Sequence, residues 1–71
     1  MIREILDGDF MDNTKVQKIC MKAGFSKYQI RSMKREEGIK TVEIENGAGE
    51  KIWLWYCPRD IWEKYSEREA D

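Results

Sequence analysis

The side chains of this chain best suited to chemistry are its cations. In residues 15–40, Lys15, Lys18, Lys22, Lys27, Arg31, Lys34, Arg35 and Lys40 stand against only Glu36 and Glu37, a local balance of +6. Residues 1–14 sum to −3 and residues 41–71 to −4, so a net charge of −1 conceals a basic middle between acidic ends. Clustered Lys and Arg suit a polyanion, because they concentrate positive potential where phosphates must come. The competing explanation is a lysine-rich helix face that is merely solvated, and charge alone does not separate the two.

Other reactive residue types are scarce. There is no His, the commonest general base and neutral metal ligand. Cys20 and Cys57 are too few and too far apart for a zinc site. Two reduced, buried thiols are expected, with a single disulfide as the alternative. Glu43 and Glu45 fall on an exposed strand face, where carboxylates solubilise. Gly-x-x-x-x-Gly-Lys, the phosphate-cradling loop, does not occur. These observations predict no catalytic residue, no metal and no cofactor. The first seven residues are too few and too charged for a signal peptide or membrane span, which predicts a cytoplasmic location and no membrane partner.

The cations need elements to position them. Ile2, Ile5 and Leu6 predict a short first helix that Gly8-Asp9 ends, with Phe10 and Met11 plugging the junction. A second helix starts near Asp12, Asn13 or Thr14, with Thr14 and Gln17 spaced as a capping box. Val16, Ile19, Cys20 and Ala23 are its apolar stripe, and Gly24 stops it. Ser26 and Gln29 predict a capping box on a third helix, with Phe25 and Ile30 as its hydrophobic staple. Ile30 and Met33 then face inward, and Tyr28, Arg31, Ser32 and Arg35 point away, with Lys27 and Lys34 flanking them. Gly38 ends this helix.

Thr41 to Glu45 alternates with period two, Asn46-Gly47-Ala48-Gly49 is a turn, and Lys51 to Cys57 is the returning strand. That strand is apolar on both faces, so its second face needs cover. A helix opened by Pro58, with Ile61, Trp62 and Tyr65 on one side, is the expected cover. Trp53, Trp55 and Trp62 are expected in the core rather than as base-stacking platforms, since a chain this short has few other large residues to bury. The resulting architecture is an α+β winged helix-turn-helix domain over residues 1–71. It has three short helices, a two-stranded wing hairpin and a short carboxy-terminal helix. The helix-turn-helix covers about 14–37, the wing about 39–57 and the last helix about 59–68.

The stretch Lys22-Ala23-Gly24-Phe25-Ser26-Lys27-Tyr28-Gln29-Ile30-Arg31-Ser32-Met33-Lys34-Arg35-Glu36-Glu37-Gly38-Ile39, followed by Gly47, Gly49 and Trp53-Leu54-Trp55-Tyr56-Cys57-Pro58, resembles a known module. It is the carboxy-terminal winged helix of phage and plasmid replication ATPase/primase proteins. The resemblance covers roughly residues 14–58. Glu37 departs from it, since leucine is usual before the glycine, and no ATPase or primase portion is present. The resemblance implies double-stranded DNA as partner, with the third helix in the major groove. Lys27, Tyr28, Gln29, Arg31, Ser32 and Arg35 would face that groove, Arg31 toward a guanine edge and Gln29 toward an adenine edge. Lys27, Lys34, Arg35 and Ser26 would hold phosphates, and Lys40 and Lys51 from the wing would make backbone or minor-groove contacts. A rival reading keeps the fold but gives the hairpin and acidic tail a protein partner or a second copy of the chain.

Overall fold

The structure, a computed structural model, describes residues 1–69, with side chains to Ser66. Four helices and a three-stranded antiparallel sheet follow in the order α1 (Ile2–Leu6), β1 (Met11–Asp12), α2 (Asn13–Lys22), α3 (Lys27–Glu36), β2 (Lys40–Glu45), β3 (Lys51–Tyr56) and α4 (Pro58–Glu69). Each helix is built for a local reason. Asp12 caps α2 by accepting the Thr14 N–H. Thr14 and Gln17 form no capping box, because Gln17 Nε2 turns back to Asn13 Oδ1. Both α2 and α3 end in the same left-handed device. Gly24 (φ 97°) follows α2, and Phe25 N–H reaches back to Cys20 O at 3.1 Å. Gly38 (φ 71°) follows α3, and Ile39 N–H reaches Lys34 O at 2.9 Å. These bonds satisfy carbonyls that the helix end leaves open, and only glycine takes the required φ without a Cβ penalty. Pro58 opens α4, as expected.

The sheet differs from the expected two strands. Its order is β1-β3-β2, because Met11 and Asp12 pair with Trp55 and Leu54 on the free edge of β3. A two-residue strand carries no alternation to read; its partner, some forty positions away, makes it a strand. Asn13 Nδ2 also donates to Trp53 O at 2.8 Å, fastening the start of α2 to β3.

Ile2, Leu6, Val16, Cys20, Ile30, Ile39, Trp55 and Cys57 form the core, with Ile5, Met11, Phe25 and Met33 packed partly against it. Full burial of one Val, Leu or Ile is worth about 1.5–3 kcal/mol, so a core this small rests on each member. Several expected core residues lie outside it. Ala23 is exposed on the turn. Phe10 is exposed too and stacks on Tyr56 with ring centroids 4.9 Å apart. Of the tryptophans, only Trp55 is buried, at 8% exposure, against 45% for Trp53 and 73% for Trp62. Trp53 shares the inward side of β3 with Trp55, but it sits nearer the hairpin turn than the core reaches.

The hairpin's second face stays open toward its turn, while Phe10 covers Tyr56 at the other end. Register places Ile44 opposite Ile52 and Val42 opposite Leu54, and Ile44 and Ile52 are exposed. The expected cover, α4, is drawn elsewhere. Arg3 forks onto Asp60, with Nε–Oδ2 at 2.9 Å, and Lys64 pairs with Asp9 at 3.5 Å. Packing is tight there, since a Cβ on Gly8 would stand 3.2 Å from Lys64 Cδ. Thus α4 lies along α1 and the loop after it.

Candidate nucleic-acid interface

The α3 helix begins with the predicted reciprocal cap. Ser26 Oγ accepts the Gln29 N–H at 3.2 Å, and Gln29 Oε1 accepts the Ser26 N–H at 2.8 Å. This has a chemical consequence. A paired contact to adenine needs both the oxygen and the amino group of a glutamine amide. The Gln29 oxygen is already engaged, so that contact requires opening the cap. Its Nε2 still points donors outward.

The faces of α3 divide as periodicity predicts. Ile30 is buried and Met33 half-buried, while Tyr28 is 78% exposed and Lys27, Arg31 and Arg35 are exposed. Ser32 and Lys34 are half-buried. Lys34 is the exception to a freely solvated row. Its Nζ donates to Thr41 Oγ1 at 2.7 Å and lies 4.9 Å from the centroid of the Trp55 ring. A cation over an indole face is attracted by the ring quadrupole. Lys34 therefore binds α3 to the sheet as well as carrying charge.

The structure gathers Ser26, Lys27, Tyr28, Gln29, Arg31, Ser32, Lys34 and Arg35 on α3 and its cap, with Lys40 at the adjacent start of β2. Lys51 stands apart. It pairs with Glu45 in the ladder, five residues along β2 from Lys40, or about 17 Å at strand rise. Its amine is also held by Glu43 at 3.3 Å. Two adjoining concavities flank the basic face. One, of about 230 Å³, is lined by Gln17, Lys27, Ile30, Arg31, Lys34 and Trp55. The other, of about 300 Å³, is lined by Arg31, Lys34, Arg35, Gly38, Ile39 and Lys40. Sequence reasoning missed Gln17, because its spacing from Thr14 suggested a cap; only the folded chain brings α2 beside α3 at that point.

Ion pairing separates the cations sharply. Arg3, Lys51, Arg59 and Lys64 are each paired with a carboxylate. Among the described residues, none of the eight cations between positions 15 and 40 is in any ion pair. Glu37, acidic and close by, is turned to the opposite side, where it accepts from Met1 N, Ile2 N and Arg3 N at 3.2, 3.3 and 2.9 Å.

Cys20 and Cys57 are both free and buried. Burial pushes the Cys20 thiol above its ordinary value, away from reactive thiolate. Among the described residues no group of three or more His, Cys, Asp or Glu could hold a metal ion, and no helix is long and apolar enough to cross a membrane. Compared with protein families, curated proteins and solved structures, the chain finds no match.

Proposed function

We propose that this chain is a winged helix-turn-helix module that binds double-stranded DNA, with α3 in the major groove and the β2–β3 hairpin as the wing. One observation carries the reading: residues 15–40 hold eight cations that are in no ion pair, while the other cations among the described side chains are paired. Unpaired, exposed cations repel one another, and the natural relief is a polyanion that releases its counterions on binding. The resemblance of residues 22–39 and 53–58 favours a regulator or replication accessory of a phage or other mobile element. This reading gives the chain no catalytic role and needs no cofactor.

The test is a mobility shift on duplex DNA at low salt. Binding is expected, and Arg31→Ala should weaken it roughly tenfold, as loss of about 1–3 kcal/mol at one contact implies. Lys34→Ala should weaken it as well. The absence of any shift on any duplex, with both variants equally silent, ends the reading.

A second reading has its own support in the open outer face of the hairpin. There Ile44 and Ile52 are exposed side by side. A protein partner seated on that face would form a complex that survives high salt and is lost in Ile44→Glu and Ile52→Glu. The last residues of the acidic tail, 70 and 71, lie outside the described residues.

A further inference from the structure

We propose that the furrow between α3 and the hairpin seats the phosphodiester backbone of one nucleic-acid strand, and that Arg31 and Gln17 belong to this backbone grip rather than to base reading. The inference rests on the nucleic-acid reading above and deepens it.

The two concavities adjoin at Arg31 and Lys34, which line both, and together make the furrow. Lys27, Arg31 and Lys34 are spaced four and three apart, which puts them in a single row on α3. Arg35 and Lys40 extend that row at its far end. No carboxylate lines either concavity. This is not the general character of the surface. Three other concavities include Glu4, Glu37 and Asp60 in one, Asp7, Asp60 and Glu63 in the second, and Glu36 and Glu37 in the third. The furrow walls are Ile30 and Trp55, both buried and apolar. A cleft lined by one sign of charge with low-dielectric walls focuses its field on an incoming counter-charge.

Gln17 supplies the neutral donor. Its Nε2 gives one hydrogen to Asn13 Oδ1 at 3.1 Å and keeps a second. Amide donors of this kind commonly contact phosphate oxygens and set register without reading sequence. Arg31 lines both concavities, so it borders the furrow beside Lys27 and Lys34. Base reading then falls to Tyr28, Ser32 and the free Gln29 amino group.

The test uses the full chain and fluorescence anisotropy, with a short labelled duplex and a single strand of the same length, across a salt series. The variants are Lys27→Gln, Arg31→Gln, Gln17→Ala and, as a control outside the basic segment, Arg59→Gln. Circular dichroism confirms that each is folded. Lys27→Gln and Arg31→Gln should each flatten the plot of log K against log salt by about 0.9 on duplex and about 0.7 on the single strand. Gln17→Ala should weaken binding without changing the slope, and Arg59→Gln should leave the slope alone. An unchanged slope in both furrow variants overturns the inference, as does an Arg31→Gln loss confined to sites with one particular guanine. If the wild type binds duplex but those variants keep its slope, this inference falls and the DNA reading stands. Furrow-dependent binding to the single strand alone supports the inference and defeats the duplex reading. Binding to neither overturns both.

Discussion

At the residue scale, Glu37 shows how one side chain can serve an element to which it does not belong. The α1 helix has no side-chain cap of its own at Met1. Its first amides would be open donors, and Glu37 accepts the N–H groups of Ile2 and Arg3 from the end of α3. Burial works against the Glu37 charge, but the Arg3 amide, the terminal amine and the Ile2 amide outweigh it, so its carboxyl sits below the ordinary 4.5. A folded-state value below the unfolded one stabilises the fold above pH 4.5, and that stabilisation is lost as pH falls through the lower folded value. Glu37→Gln should therefore cost about 1 kcal/mol in urea denaturation at neutral pH, in the range of lost helix caps. The gap to wild type should shrink toward zero at acid pH. A gap independent of pH would mean that the charge of Glu37 is immaterial to its cap. Glu37 thus meets open amides rather than apolar side chains.

At the scale of elements, α3 is the part most exposed to a single substitution, because its start, its end and its seat rest on few contacts. Ser26→Ala removes the acceptor for the Gln29 amide and unlocks the Gln29 side chain, and it should lower stability by about 1 kcal/mol. Amide hydrogen exchange should speed up at the first turn of α3 while the Lys34 end, tied to Thr41 and Trp55, keeps its protection. Uniform acceleration along α3 would show instead that the cap supports the whole helix. Local signals such as these were legible before folding. Glycines at 24 and 38, the Ser26–Gln29 spacing and the alternation of β2 each act through neighbours in sequence. What sequence did not give acts across the chain. The β1 strand exists only through its ladder to Trp55 and Leu54. The seat of α4 is set by Arg3 on Asp60 and Lys64 on Asp9, each more than fifty positions apart. The cationic row on α3 could be read from helical spacing, but Gln17 and Trp55, which complete the furrow, could not, since no period links them to it.

On the scale of the whole molecule, the ionisation shifts of Asp9, Glu37, Asp60 and Cys20 all move away from neutrality. The Asp9 carboxyl is held low by the Phe10 amide, and that of Asp60 by Arg3, as Glu37 is held by its amides. Burial raises the Cys20 thiol. With no His in the chain, no side chain has its ordinary titration near pH 6.5. The attraction of the positive face for a polyanion is then governed by salt. If Lys27, Arg31, Arg35 and Lys40 each displace counterion at a phosphate, raising salt from about 50 to about 200 mM should weaken duplex binding about a hundredfold. Between pH 6 and 8 at fixed salt the affinity should change less than about twofold, because the chain has no His. Anisotropy titrations over that grid check both arms. A steep pH dependence would place a titrating group in the interface and so move the contact away from α3. A flat salt dependence would leave the unpaired cations without a partner and shift the weight to the apolar outer face of the hairpin, where Ile44 and Ile52 already stand open.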